Sequence, residues 1–266
     1  MKVAVAQFAS KPDAPANRAR TLELLRTAAG SGAELVVLPE AAMYPTDRPP
    51  AELAQAAEAL DGPFVTALAG AAGELGVSAI AGMFEKVPGK QRVHNTAVAV
   101  DATGLLGRYR KLHLYDALGH KESDALVPGR IDGDELLTLA LGDFVIGVVT
   151  CYDLRFPELF RALVDRGATA FAVPAAWVAG PLKQDHWMTM CRARAIENTS
   201  YLMAAAQPPP TYCGHSLVID PMGIELARLG ETEGVAIAEI SSEHVRSVRE
   251  ALPVLVQRRY EVRPRR

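Results

Sequence analysis

The chain has 266 residues, 49% apolar and 22% charged, enough for a substantial core and ordinary for a globular protein in water. A formal net charge of −3 gives no electrostatic basis for nucleic acid or an anionic membrane as partner, and no apolar run approaches the roughly 18 residues needed to span a bilayer. The three cysteines, Cys151, Cys191 and Cys213, are odd in number and lack zinc-site spacing; a disulfide framework is disfavoured and a cytoplasmic location is expected.

In chain order, MKVAVAQFAS reads as a first strand (3–8) rather than a signal peptide. Residues 17–29 carry Leu22, Leu25 and Ala29 on one helical face, stopped by Gly30 and Gly32. LVVLP (35–39) is a buried strand. A helix starts at Pro63 and ends at Gly76, and 77–84 is a strand. NTAVAVDATGLLGRYRK is two strands about the turn Asp101-Ala102-Thr103-Gly104. The order then repeats: strand 144–150, helix 157–166 closed by Gly167, strand 169–176, helix 183–198, strand 201–206 and a second hairpin within 215–229. The hairpins align as VAVDATGLLGRY on LVIDPMGIELAR, so residues 1–266 read as one domain of two pseudo-equivalent halves. Sheet packed on sheet with helices outside gives an α/β fold, a four-layer α-β-β-α sandwich. The basic ending RRYEVRPRR reads as a solvated tail.

Three reactive residue types fall at strand ends. Glu40 follows LVVLP, Lys111 ends LLGRYR, and Cys151 follows FVIGVVT. Ligand crevices form at such ends, so Glu40 and Cys151 are expected at one edge, on neighbouring strands from the two halves. An ammonium near the thiol favours thiolate; a carboxylate can take the thiol proton during attack; Lys111 and a backbone N–H can stabilise an oxyanion. That is a complete acyl-transfer set without histidine. Each residue alone has a plainer reading: a small core cysteine, a capping glutamate, a surface lysine. The six histidines lack ligand-pair spacing, so neither metal nor other cofactor is called for; His113, in KLHLYD, reads as an orienting imidazole.

With these residues in place, the chain resembles the nitrilase, or carbon–nitrogen hydrolase, superfamily over nearly its whole length. LVVLPE (35–40), GRYRKLHLYD (107–116) and VVTCYDLRFPELFRAL (148–163) resemble its glutamate, lysine and nucleophile motifs, in order. ESDALVPG (122–129), HWMTMCRARAIEN (186–198), YLMAAAQ (201–207), GHSLVIDPMG (214–223) and LPVLVQRR (252–259) match further. The resemblance implies Glu40 as general base, Lys111 as transition-state stabiliser, Cys151 as nucleophile, Glu122 as a supporting glutamate, and the Tyr152 N–H in the oxyanion hole. It also implies an α-β-β-α sandwich that pairs into homodimers or larger homo-oligomers.

RARAIEN, AAAQ, GHS-x-V-x-D-P-x-G and the LPV…RR ending are similar to the branch of amidases acting on deaminated glutathione and ω-amides, which implies a small carboxylate-bearing carboxamide as substrate. An N-carbamoyl amino acid or β-ureido hydrolase, and a catalytically silent metabolite-binding scaffold, are the alternatives. The loops at 112–121 and 208–213 are short beside these relatives and are expected to border the substrate entrance. Arg155 either binds a substrate carboxylate or pairs with Asp153 or Glu158. Trp177 is either pocket wall or core. Cys191 reads as core, and Cys213 as an exposed loop thiol.

Overall fold

The computed structural model describes residues 1–133 and 135–264. The first part of the chain forms β1 (Lys2–Gln7), α1 (Ala14–Gly30), β2 (Leu35–Val37), α2 (Pro50–Ala56), α3 (Pro63–Leu75), β3 (Ser78–Glu85), β4 (His94–Asp101) and β5 (Gly104–Arg110). There follow β6 (Leu137–Leu141), β7 (Phe144–Val148), α4 (Pro157–Asp165), β8 (Ala170–Ala175), α5 (Lys183–Asn198), β9 (Tyr201–Ala206), β10 (Leu217–Ile219), β11 (Glu225–Arg228), β12 (Gly234–Glu239) and α6 (Ser242–Ala251). Single 3-10 turns span Glu122–Asp124 and Cys151–Arg155.

Two six-stranded sheets result, ordered β12-β1-β2-β3-β4-β5 and β11-β10-β9-β8-β7-β6. In each, three successive strands are parallel, β1-β2-β3 and β7-β8-β9. A hairpin then extends one edge, β4–β5 or β10–β11, and one antiparallel strand closes the other, β12 on β1 or β6 on β7. The matching orders are the two halves anticipated from the aligned hairpins.

The side-chain alternation of a strand explains the layering. Val3, Val5, Leu35 and Val37 join a core with β7, β8 and β9 of the other sheet, whereas Ala4, Ala6, Val36 and Leu38 pack in a second core with Leu24, Leu25, Leu68 and Ala72 of α1 and α3. On the far side Phe160, Leu163, Trp187 and Cys191 bring α4 and α5 onto the second sheet. Both faces of each parallel region are covered, hence the uninterrupted apolar runs. The order of layers is helix, sheet, sheet, helix.

Several expectations shift. The buried stripe of α1 is Asn17, Thr21, Leu24, Leu25 and Ala28, not Leu22 and Ala29, and its start is capped by Asp13, whose carboxylate accepts from the Ala16 N–H. Strands β6 and β12 and helices α2 and α6 were not anticipated. Residues 258–264 are only partly a free tail, because Arg258 pairs with Asp165 while Tyr260 is exposed; the last two residues of the expected tail lie outside the described residues. Among the described residues, no helix is long and apolar enough to cross a membrane.

Candidate active site

Glu40 sits beyond β2, where the chain stays hydrogen-bonded to β3 through Leu38 N to Ile80 O and Gly82 N to Pro39 O. The backbone then turns sharply, with Ala41 at φ +55°. Gly82 permits this approach, since a Cβ there would lie 2.5 Å from both Glu40 Cα and Ala41 N. Gln207 holds the same backbone from the second half, donating its amide to Glu40 O at 2.9 Å. The Glu40 side chain is 1% exposed. Its Oε1 accepts from Asn95 Nδ2 at 2.6 Å and Lys111 Nζ at 2.9 Å, and its Oε2 accepts from Ala176 N at 2.6 Å.

Lys111 follows β5 and is tied to β4 by its N–H to Asn95 O. It is 1% exposed, so it is no surface lysine. Its ammonium lies 2.9 Å from Glu40 and 2.9 Å from Glu122. Glu122 is positioned in turn by the Tyr115 N–H, which donates to Oε2 at 2.7 Å.

Cys151 opens the 3-10 turn just beyond β7, with φ +47°, a conformation that strains a residue bearing a Cβ. Asp153 fixes this elbow. Its fully buried carboxylate accepts from Thr150 N (3.1 Å), Tyr109 Oη (2.7 Å) and His113 N (3.1 Å), and pairs with His113 Nδ1 at 2.7 Å. His113 also stacks on Phe156, ring centroids 3.6 Å apart. It orients the elbow and stands outside the Glu40–Lys111–Glu122 network.

The electrostatics differ from expectation in one respect. Burial pushes the Cys151 thiol well above its ordinary range; the Glu40 charge adds to this and Lys111 opposes it. Burial likewise opposes the Lys111 ammonium, but Glu122 and Glu40 outweigh it and hold its pKa well above the usual lysine value. One cation is shared by two carboxylates, so the field at the sulfur is not that of a free ammonium. Burial and the Glu40 charge thus favour the protonated thiol over the thiolate at Cys151.

Cys151 opens onto a cavity of about 430 Å³ lined also by Tyr115, Glu122, Tyr152, Trp177 and Lys183. The anticipated loops border it through Gly119, His120, Thr211 and Tyr212; an unanticipated wall comes from Thr46, Asp47 and Arg48. Glu40 and Cys151 thus meet in one place, but their strands are not neighbours. β2 and β7 belong to different sheets, and Glu40 reaches across the sandwich to Ala176, just after β8.

Two residues depart from their readings. Arg155 is not among the cavity-lining residues, and its guanidinium pairs with neither Asp153 nor Glu158; it lies 4.8 Å over the Trp177 ring and 3.4 Å from His186 Nδ1. Cys213 is buried rather than exposed, because 211–213 run beside 177–179, with Cys213 N on Trp177 O. Trp177 is both wall and core: it is 2% exposed, yet it lines the cavity. Cys191 is core. Asn95, Asp153, Tyr115 and Lys183 were missed. Asn95 had a signal, because it lies opposite the last residues of β5 in a hairpin already recognised; Lys183 had none, since a lysine starting a helix ordinarily faces water.

Comparison with known proteins agrees with this architecture. The sequence profile of the carbon–nitrogen hydrolase family matches residues 2–250. The chain is 38% identical over 263 residues to the deaminated glutathione amidase of Escherichia coli O157:H7, covering 98% of each. It superposes on Saccharomyces cerevisiae Nit3, a nitrilase-superfamily member, with TM-score 0.85 and 29% identity over 98% of this chain and 97% of that one. It also superposes on a mutant amidase from Nesterenkonia sp. AN1, with TM-score 0.79 and 26% identity over 95% of this chain and 98% of that one; there acrylamide has added to the active-site cysteine. By profile, identity and fold together, this chain belongs to the carbon–nitrogen hydrolase family.

Proposed function

We propose that the protein is a thiol-dependent amidase that hydrolyses the C–N bond of a small carboxylate-bearing carboxamide, of the ω-amide or deaminated-glutathione type. The observation that carries the reading is the Lys111 ammonium held 2.9 Å from each of two carboxylates, Glu40 and Glu122, whose charges act on Cys151, with Glu122 and Cys151 lining one cavity. The similarity to a named deaminated glutathione amidase supports the same substrate class.

In this reading Cys151 attacks the amide carbon as Glu40 takes the thiol proton. The carbonyl electrons move to oxygen, where Lys111 and the Tyr152 N–H stabilise the charge. Collapse breaks the C–N bond, and Glu40 returns its proton to the departing ammonia. Water then attacks the thioester, giving up a proton to Glu40. Collapse of this second tetrahedral species breaks the C–S bond, Glu40 returns the proton to the Cys151 sulfur, and the carboxylic acid leaves, losing its own proton to solvent. Glu122 keeps Lys111 charged and aimed. A thiol whose pKa is held up by burial suits this sequence, because Glu40 is then needed as base at the first attack.

The whole chain, 1–266, acts as one hydrolase domain in this reading. Its three cysteines are all free, consistent with a cytoplasmic setting. A homodimer fits the exposed apolar side chains Ile196, Met222 and Ile224, clustered where Gly223 packs on Ile196; light scattering after gel filtration tests this.

The activity test is a panel of ω-amides, ureides and nitriles scored for ammonia. Release from ω-amides that vanishes in Cys151→Ala is expected. Carbon dioxide evolved along with ammonia would instead indicate an N-carbamoyl substrate, and no release from any compound would overturn the reading.

A further inference from the structure

Lys183 reverses the usual rule for the start of a helix. Leu182, just before α5, is 70% exposed at φ +57°, whereas Lys183 is 5% exposed. The ammonium lies 4.6 Å from the Tyr115 ring centre and 4.9 Å from that of Trp177, and donates to Tyr115 Oη at 3.1 Å. The Trp177 indole N–H is turned to Lys183 O at 2.8 Å, fixing the two residues together. Among the described residues no carboxylate lies within 4.0 Å of this ammonium, and Tyr115 Oη is its single hydrogen-bonding partner. A buried lysine left without a counter-ion is costly. The aromatic faces offset part of that cost, but two N–H donors remain unused, and Lys183 lines the same cavity as Cys151.

The other cations at the site are already committed: Lys111 is held by Glu40 and Glu122, and of the cavity-lining residues Arg48 pairs with Glu52 and Lys121 with Asp124. We infer that Lys183, with the Tyr115 hydroxyl, is the receptor for the substrate's own carboxylate, the end remote from the scissile amide. This specificity assignment rests on the amidase reading above and deepens it. Tyr115 joins the two ends of the site: its hydroxyl meets Lys183, and its backbone N–H holds Glu122. A carboxylate seated on Lys183 completes the missing ion pair and anchors the substrate against the residue that positions the Lys111–Glu122 pair. A neutral amide of the same length leaves Lys183 unpaired.

The test separates binding from turnover. Glutaramate and its neutral counterpart glutaramide are titrated calorimetrically into Cys151→Ala protein, alone and with Lys183→Met or Lys183→Arg. We expect glutaramate to bind Cys151→Ala tighter than the diamide. Lys183→Met should weaken glutaramate about 30-fold, the size of a lost charge-assisted contact, and move glutaramide little; Lys183→Arg should retain most of the preference. Equal affinity of Cys151→Ala for the two ligands, or equal weakening of both by Lys183→Met, overturns the inference. Should Lys183→Met fail to fold, Lys183→Gln takes its place, and equal affinity of the Cys151→Ala parent for the two ligands still overturns the inference. Ammonia release by the wild type is scored apart: glutaramate bound through Lys183 with no ammonia from any compound of the panel sinks the amidase reading and leaves the anion receptor, and turnover without carboxylate preference does the reverse.

Discussion

Gly82 is the position where one methyl group should separate activity from mere presence of the site residues. It lies in β3, and a Cβ there would stand 2.5 Å from Glu40 Cα, 2.5 Å from Ala41 N and 2.8 Å from Glu40 C. All three are backbone atoms, so no side chain can swing aside. Carbon atoms pack at about 3.5–4.0 Å, so Gly82→Ala must push the Glu40 backbone away by about 1 Å. The Glu40 carboxylate would then leave its 2.6 Å contacts with Asn95 and Ala176 N. A displacement of that size costs roughly 100-fold in rate, and overpacking costs about 1–3 kcal/mol of stability. Gly70, inside α3, is the control: nothing lies within 4 Å of its would-be Cβ, so Gly70→Ala should gain about 0.5–1 kcal/mol and keep its activity. The assays are steady-state ammonia release and urea unfolding on both variants. A folded Gly82→Ala enzyme with kcat/KM within about threefold of wild type would refute the claim that this close approach sets the position of Glu40.

Asp153→Asn puts an NH₂ among groups that donate to the carboxylate, namely Thr150 N, Tyr109 Oη and His113 N. It should cost about 1.5–3 kcal/mol and lower kcat more than KM; unchanged urea stability would contradict the role given to Asp153. Alkali should destabilise the fold through its buried thiols. Burial pushes Cys213 up to about 12 and holds Cys151 and Cys191 well above their ordinary range. The unfolded chain loses these protons from about pH 8.5 while the folded chain keeps them. Their stabilisation is therefore intact below that pH and falls as pH rises, by up to about 1.4 kcal/mol per unit for each thiol. Unfolding midpoints at pH 7.5 and 10 should fall less in Cys191→Ala/Cys213→Ala than in wild type, and equal falls would refute it.

Much of this arrangement is legible in the sequence because the parallel strands are buried on both faces and end abruptly in polar residues. LVVLPE and FVIGVVTC announce both the strand and the group it delivers, and the aligned hairpins disclose the repeat. Strands β6 and β12 are less visible: each is a sheet edge with mixed burial, and β12 pairs with β1 from the opposite end of the chain. Loop position proved a poor guide to exposure at Cys213, which is covered because its segment bridges to residues 177–179. Arg155 has acidic neighbours in sequence, yet the buried Asp153 is saturated by other donors, and the guanidinium turns to Trp177 instead. Lys183 is hidden for a related reason, since helix periodicity describes the axis and not the first residue thrown inward by a left-handed one before it.

Acyl transfer to Cys151 is most directly tested by rapid-quench intact-mass measurement during turnover of an ω-amide. The expected result is an adduct on Cys151 equal to the amide less one ammonia, formed in step with the first ammonia released and absent in Cys151→Ala. Ammonia released at the wild-type rate by Cys151→Ala would contradict it.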